Sequence, residues 1–313
     1  MNLLIEDYLN FYQFVGGNSE LTAKTYRSDL TLFFKYLLIR YGKVKPKTKL
    51  EDIDISVVDE EMIKNVKPED LFGFIAFCDK TLKNSNNTKR KKAIAIRVFF
   101  EYLHKTKKLI DENPAEDLKP VKAKESLPVY LSLNEANKLL ESIDGTNKER
   151  DYCMITLFLN CGMRLSELIN IDTDDIRDDI LTVIGKGDKP RTIYLNEMCL
   201  DALEEYLNVR PNADTNALFL SNRKKRISKR TVQNLIKKYT KKAGLDSDKI
   251  SIHKLRHTSA TLLYKHGNID IRTIQKILGH NDVSTTQIYT HVDEEQLRDA
   301  VKKNPLSALK KGR

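Results

Sequence analysis

Between Asn113 and Pro128 the chain carries prolines at 114, 120 and 128 and shows no apolar period. Proline lacks the helical N–H and disfavours helix at its predecessor, while Lys119, Lys122, Lys124 and Glu125 keep the stretch solvated. No regular element passes through such a segment. The chain is therefore expected to fold as two bodies, residues 1–113 and 129–313, joined by a linker over 114–128. Its 313 residues are enough for two separate cores.

Ahead of the linker, apolar residues recur at helical spacing. Leu4, Tyr8, Phe11 and Phe14 predict one helix, and Tyr26, Leu30, Phe33 and Leu37 a second. Leu71, Phe74 and Ile75 predict a third, entered through Pro68, which a first turn tolerates. Ile94, Val98, Phe99 and Leu103 predict a fourth. The loop from Gly42 to Val66 has no assigned form, and its acid-rich stretch Val44–Glu61 is long for a helix connection. Past the linker, Ser132-Leu-Asn-Glu135 has the spacing of a capping box and starts a helix. Ile180–Ile184 and Arg191–Leu195 are β-rich runs flanking Gly185-Lys-Gly-Asp-Lys-Pro190, which reads as a hairpin with a basic turn. After Glu197 the pattern is helical again, broken near Gly244, Gly267 and Gly279. The fold class is mainly α: an N-terminal helical bundle, then an α-rich domain with one small antiparallel sheet.

Lysine and arginine number 54 against 44 acidic residues, for a net charge of +10 and a pI near 9.2. Residues 1–124 hold 23 basic against 18 acidic and residues 125–313 hold 31 against 26, so each half is +5. A balance of this kind favours a polyanionic partner gripped by both halves. No apolar run approaches the length that spans a bilayer, and the first ten residues lack both parts of a secretory leader. Cys78, Cys153, Cys161 and Cys199 are scattered without CxxC spacing, as expected of buried thiols in a reducing cytoplasm.

Four clusters could carry chemistry: Gly162-Met-Arg164-Leu-Ser-Glu167, the turn holding Lys186, His253-Lys-Leu-Arg256-His257, and Leu278-Gly-His280 through Tyr289. On a helix His253, Arg256 and His257 share a face. Zinc does not suit them, because no glutamate follows the first histidine and an arginine among the ligands repels the ion. The Lys186 turn lacks P-loop spacing. Ser284-Thr-Thr-Gln287 would open a short helix bearing Tyr289. Taken singly each has a plainer reading: Arg164 as a surface cation, Tyr289 as a packing residue, the third cluster as an ordinary helix.

Together, Arg164, Lys186, His253-x-x-Arg256, Leu-Gly-His280 and Tyr289, in that order, resemble the tyrosine recombinases, and especially the Xer recombinases and their phage-integrase relatives. The resemblance runs over nearly the whole chain. It implies a SAM-like core-binding N-terminal domain, and a catalytic domain that transfers a DNA phosphodiester to Tyr289 without metal, ATP or other cofactor. In that scheme Arg164 and Arg256 clamp the phosphate charge, since guanidinium can bond phosphate through two N–H groups. A free phenol titrates near 10, and His253 is its acid–base partner. His280 donates a further bond, Lys186 protonates the departing 5′-oxygen, and Glu167 orients an active-site cation. The partners implied are double-stranded DNA, a homo- or hetero-tetramer of recombinases on two duplexes joined by the tail after Asp293, and an activating protein, with no membrane. Lys89, Arg90, Lys91 and Lys92 and Arg223, Lys224, Lys225 and Arg226 are candidate DNA contacts, each also readable as a solvated helix start or loop. The Xer role implied is resolution of chromosome dimers. The rivals are a mobile-element integrase, disfavoured because no arm-binding domain precedes the helical half, a type IB topoisomerase, and a catalytically dead DNA-binding regulator.

Overall fold

The computed structural model describes residues 2–45, 47–119, 129–185, 190–267 and 269–279. The chain divides into two compact units, Met1–Ser126 and Leu127–Arg313.

The first unit holds α1 (Leu3–Asn10), α2 (Glu20–Arg40), α3 (Glu60–Lys64), α4 (Pro68–Lys80) and α5 (Asn86–Glu101). Short polar side chains start most of them: Asn2, Ser19, Asp59 and Ser85 each accept a bond from a first-turn N–H. α4 opens on Pro68, and Asp70 accepts from the Lys67 N–H at 3.0 Å. The core is aromatic. Phe33, Phe34, Phe74, Phe99 and Phe100 are fully buried, with Phe33 and Phe74 edge to face at 5.3 Å. The acid-rich stretch is anchored there too: Ile53 and Val58 are buried, and the Asn2 amide donates to the carbonyls of Ile55 and Val58.

Two expectations need correction. Phe14 does not share the buried face of Leu4 and Tyr8 but is 76% exposed. The helix widens at Phe11–Val15 into a π-helical turn, closed by the Gly16 N–H on the Phe11 carbonyl, and the extra residue rotates Phe14 outward. The linker also does not begin at Pro114. Asn113 accepts from the Ala115 N–H, a tight turn follows, and Ala115 and Leu118 are buried in the first core. Residues 120–128 lie outside those described.

The second unit comprises α6 (Leu133–Glu141), α7 (Lys148–Cys161), α8 (Leu165–Asn170), β1 (Ile176–Arg177), β2 (Ile180–Ile184), β3 (Pro190–Tyr194), α9 (Glu197–Val209), α10 (Lys229–Lys242), α11 (Ile252–Lys265) and α12 (Ile271–Leu278). Ser132 and Glu135 form the capping box at the head of α6. α7 is the central helix, with every residue from Cys153 to Leu159 buried, and it packs against α9 and α11. The sheet is antiparallel in the order β1-β2-β3, pairing Leu181 with Ile193 and Val183 with Arg191. Leu181, Val183 and Ile193 point to the core while their neighbours face solvent. The two-residue strand β1 is too short to show in the sequence pattern. All four cysteines are buried thiols. Among the described residues, no helix is long and apolar enough to cross a membrane.

Candidate active site

Two helices of the second unit end in the same way. α7 stops at Gly162 (φ 58°) and α12 at Gly279 (φ 65°), both in the left-handed conformation that glycine adopts freely. A helix C-terminus leaves carbonyls unpaired and carries partial negative charge. Here arginines meet both ends. Arg256, 5% exposed within α11, donates from Nη1 to the Gly162 carbonyl and from Nη2 to the Leu278 carbonyl, each at 2.6 Å. Arg164 donates from Nη2 to the Gly279 carbonyl at 2.8 Å. Arg191 donates from Nη1 to the Ile277 carbonyl at 2.5 Å. Three successive peptide carbonyls of one helix end are thus held by three arginines from separate segments.

Glu167 links two of those arginines. It is the third residue of α8 and 2% exposed. Its Oε2 accepts from the backbone N–H of Arg164 and its Oε1 from the Arg164 Nη1, both at 2.7 Å. This explains the Arg164-Leu-Ser-Glu167 spacing: one carboxylate caps the helix and holds the guanidinium that precedes it. Arg191 bonds the same carboxylate through Nε at 3.2 Å and Nη2 at 2.8 Å. Burial alone would raise the Glu167 carboxyl. The bonds and charge of Arg191, then the backbone and side-chain bonds from Arg164, override it and keep the carboxyl below the usual range. Glu167 therefore bonds two cations, Arg164 and Arg191, and the second was not among the residues singled out from the sequence.

His253 is exposed on α11 and Arg256, one turn on, is buried. His257 is half-buried and pushed down to about 4, by burial first and then by the charges of Lys254, His253 and Arg256. It is therefore neutral at pH 7. Among the described residues, no group of three or more His, Cys, Asp or Glu could hold a metal ion. Lys186, His280 and Tyr289 lie outside the described residues.

The candidate DNA contacts separate. Lys89 and Lys92 are corrected: both are buried, Lys89 paired with Asp79 and Lys92 with Asp29 at 2.5 Å, because α5 turns them toward the helices it packs on. They are internal cations. Arg90 and Lys91 are exposed on the same helix. Arg223, Lys224 and Lys225 are exposed at the tip of a tight turn between the paired residues Leu220 and Arg226. Arg226 is half-buried and binds inward, to the carbonyls of Ile169 and Ile171 and to Asp172, so it fastens the turn instead of extending it.

A Cβ on Gly279 would meet the Arg191 Cδ at 2.8 Å, and the left-handed backbone strains any other residue. Gly279→Ala is expected to cost about 1–3 kcal/mol and to displace Arg191. Thermal unfolding and strand cleavage, measured together on that variant, check both effects.

Residues 130–296 match the phage integrase family. The chain is 53% identical over 307 residues to the tyrosine recombinase XerC of Caldanaerobacter subterraneus subsp. tengcongensis, a match covering 97% of this chain and 87% of the relative. It is 33% identical over 312 residues to the tyrosine recombinase XerD of Listeria monocytogenes serotype 4b, covering 96% and 98%. In fold it is similar to the XerH site-specific recombinase, solved in a pre-cleavage complex bound to difH substrate. That similarity has a TM-score of 0.68 at 24% identity and covers 96% of this chain and 83% of the other. Neither the mobile-element reading nor the regulator reading is favoured by these matches. The chain belongs to the phage integrase family and is a tyrosine site-specific recombinase of the Xer type.

Proposed function

We propose that this recombinase acts on double-stranded DNA through a two-arginine clamp, with Arg164 and Arg256 binding the scissile phosphate. Tyr289 attacks phosphorus, and the bond to the 5′-oxygen breaks as the 3′-phosphotyrosyl bond forms. His253 takes the phenolic proton, Lys186 supplies one to the departing 5′-oxygen, and His280 adds a donor to the non-bridging oxygens. A 5′-hydroxyl from a second duplex reverses the sequence and reseals the strand. Each step exchanges one phosphoester for another, so the scheme needs no ATP, and guanidinium charge serves where other phosphoryl-transfer enzymes use magnesium.

The observation that carries this reading is the anchoring of Arg164 and Arg256 on adjacent carbonyls, Gly279 and Leu278. Two guanidiniums from distant segments are thereby fixed on neighbouring peptides of one helix end, and such preorganisation makes charge stabilisation effective. The exposed His253 on the same helix as Arg256 supports its role as proton acceptor. DNA as the partner is supported by relatives solved with it, including XerH on difH and a lambda integrase dimer on a core site. Four protomers on two duplexes, of this chain alone or with a second recombinase, would complete strand exchange. Resolution of chromosome dimers, with an activating protein, is the biological role that fits the Xer relatives.

A trap with nicked chromosomal fragments in EDTA tests the chemistry. An SDS-resistant adduct at one recurring site is the expected result, and cleavage that depends on added metal would contradict it. DNA affinity should also fall steeply with salt as bound counterions are released. Replacing Arg223, Lys224 and Lys225 together by alanine is expected to make the slope of log K against log salt shallower by about 2–3. Titrations at several salt concentrations measure it, and an unchanged slope would remove that turn from the interface.

A further inference from the structure

Arg191 has no part in the scheme above, yet its guanidinium joins β3, α8 and the end of α12. It lies opposite Val183 on the inner face of the sheet, with its side chain 13% exposed. From there it places Nε and Nη2 on the two oxygens of Glu167 and Nη1 on the Ile277 carbonyl. This is a side-on fork on a carboxylate that is itself 1% exposed.

The fork matters for Arg164. A buried carboxylate with one arginine partner draws that partner into a two-bond pair, the geometry that best satisfies both oxygens. Here Arg191 fills that position. Arg164 is left with one side-chain bond to Oε1 and one to the Gly279 carbonyl. Among the described residues these engage two of its five N–H donors, so the others remain for a phosphate.

We propose that Arg191 is a positioning residue of the recombination reaction: by filling the fork of Glu167 and binding the Ile277 carbonyl, it keeps Arg164 where the scissile phosphate meets it. The inference rests on the reading of Arg164 as part of the phosphate clamp. Arg191 itself touches neither the phosphate nor the reacting oxygens. Its removal releases Arg164 into a tight pair with Glu167, which weakens the clamp and leaves DNA affinity nearly unchanged.

The test uses the full chain, single-turnover cleavage, and two versions of one DNA site. One carries the ordinary scissile phosphodiester. The other carries a neutral methylphosphonate, whose missing charge makes a guanidinium clamp less necessary. Arg191→Gln is expected to lose about 10- to 100-fold in cleavage of the phosphodiester, the usual scale for a residue that orients a catalytic group. The loss should shrink on the methylphosphonate in parallel with that of Arg164→Ala. Arg191→Lys keeps a positive charge beside Glu167 but cannot make the fork, so it should melt near the wild-type temperature and still show the selective loss. Equal loss on both substrates, or full activity in a folded Arg191→Lys protein, would overturn the positioning role. If Arg164→Ala itself shows no selective loss, the clamp reading fails first and the role of Arg191 falls with it, a result distinct from failure at Arg191 alone.

Discussion

Tyr289→Phe protein is expected to bind its DNA site as the wild type does and to form no SDS-resistant adduct. The substitution removes one oxygen and keeps the ring, so packing around the side chain changes little. Without the phenolic oxygen no atom remains at that position to form the covalent bond to phosphorus. Loss of a nucleophile costs an enzyme roughly 10⁴-fold or more in rate, which puts residual strand breakage below detection. The salt dependence of binding should be untouched, because the cations that contact DNA are untouched. Gel-shift titrations beside the covalent trap separate the two properties. An adduct formed by the phenylalanine protein at wild-type rate would move the nucleophile to another residue.

Arg256→Ala is expected to fail in two ways at once. Its guanidinium is the buried half of the proposed clamp, and removal of one fixed donor to a transition-state oxyanion costs about 10²- to 10³-fold. It also satisfies the carbonyls at the ends of α7 and α12. Leaving two buried acceptors unpaired should lower stability by about 2–4 kcal/mol. Arg164, with its side chain 27% exposed, should cost less in stability when truncated. Denaturant melts of both variants, followed by cleavage at a temperature where each is folded, distinguish lost chemistry from lost fold. Wild-type cleavage by folded Arg256→Ala protein would exclude this residue from the clamp.

Most of the fold can be read in the sequence because its signals are local. Ser132 and Glu135 announce a helix start by their own side chains, and the glycines at 244 and 279 sit where helices end. What escapes depends on which way a side chain turns. In Lys89-Arg-Lys-Lys92 four cations look alike, but successive helix positions point about 100° apart, and two of the four turn inward to Asp79 and Asp29. Phe14 was lost to a π-helical turn that no residue type marks. Ala115 and Leu118 are too few apolar residues to reveal that the chain past Pro114 still packs on the first core. Arg191 did leave a trace. In Arg191-Thr-Ile-Tyr-Leu195 the alternate positions are Arg, Ile and Leu, and a charged residue on the apolar side of a strand calls for a buried partner. The partner, Glu167, is 24 residues away, so strand parity could flag the arginine but could not say what it holds.

The grip of three arginines on residues 277 to 279 is a grip on main chain. Side chains there can drift, provided 278 stays apolar and 279 stays glycine, because every peptide offers the same carbonyl. A change in length cannot be absorbed in that way. One residue inserted into α12 would swing each carbonyl by about 100° and hand every arginine the wrong acceptor. For this part of the protein the unit of inheritance is a count of residues more than a choice of them, and related chains should tolerate substitution there far better than insertion or deletion.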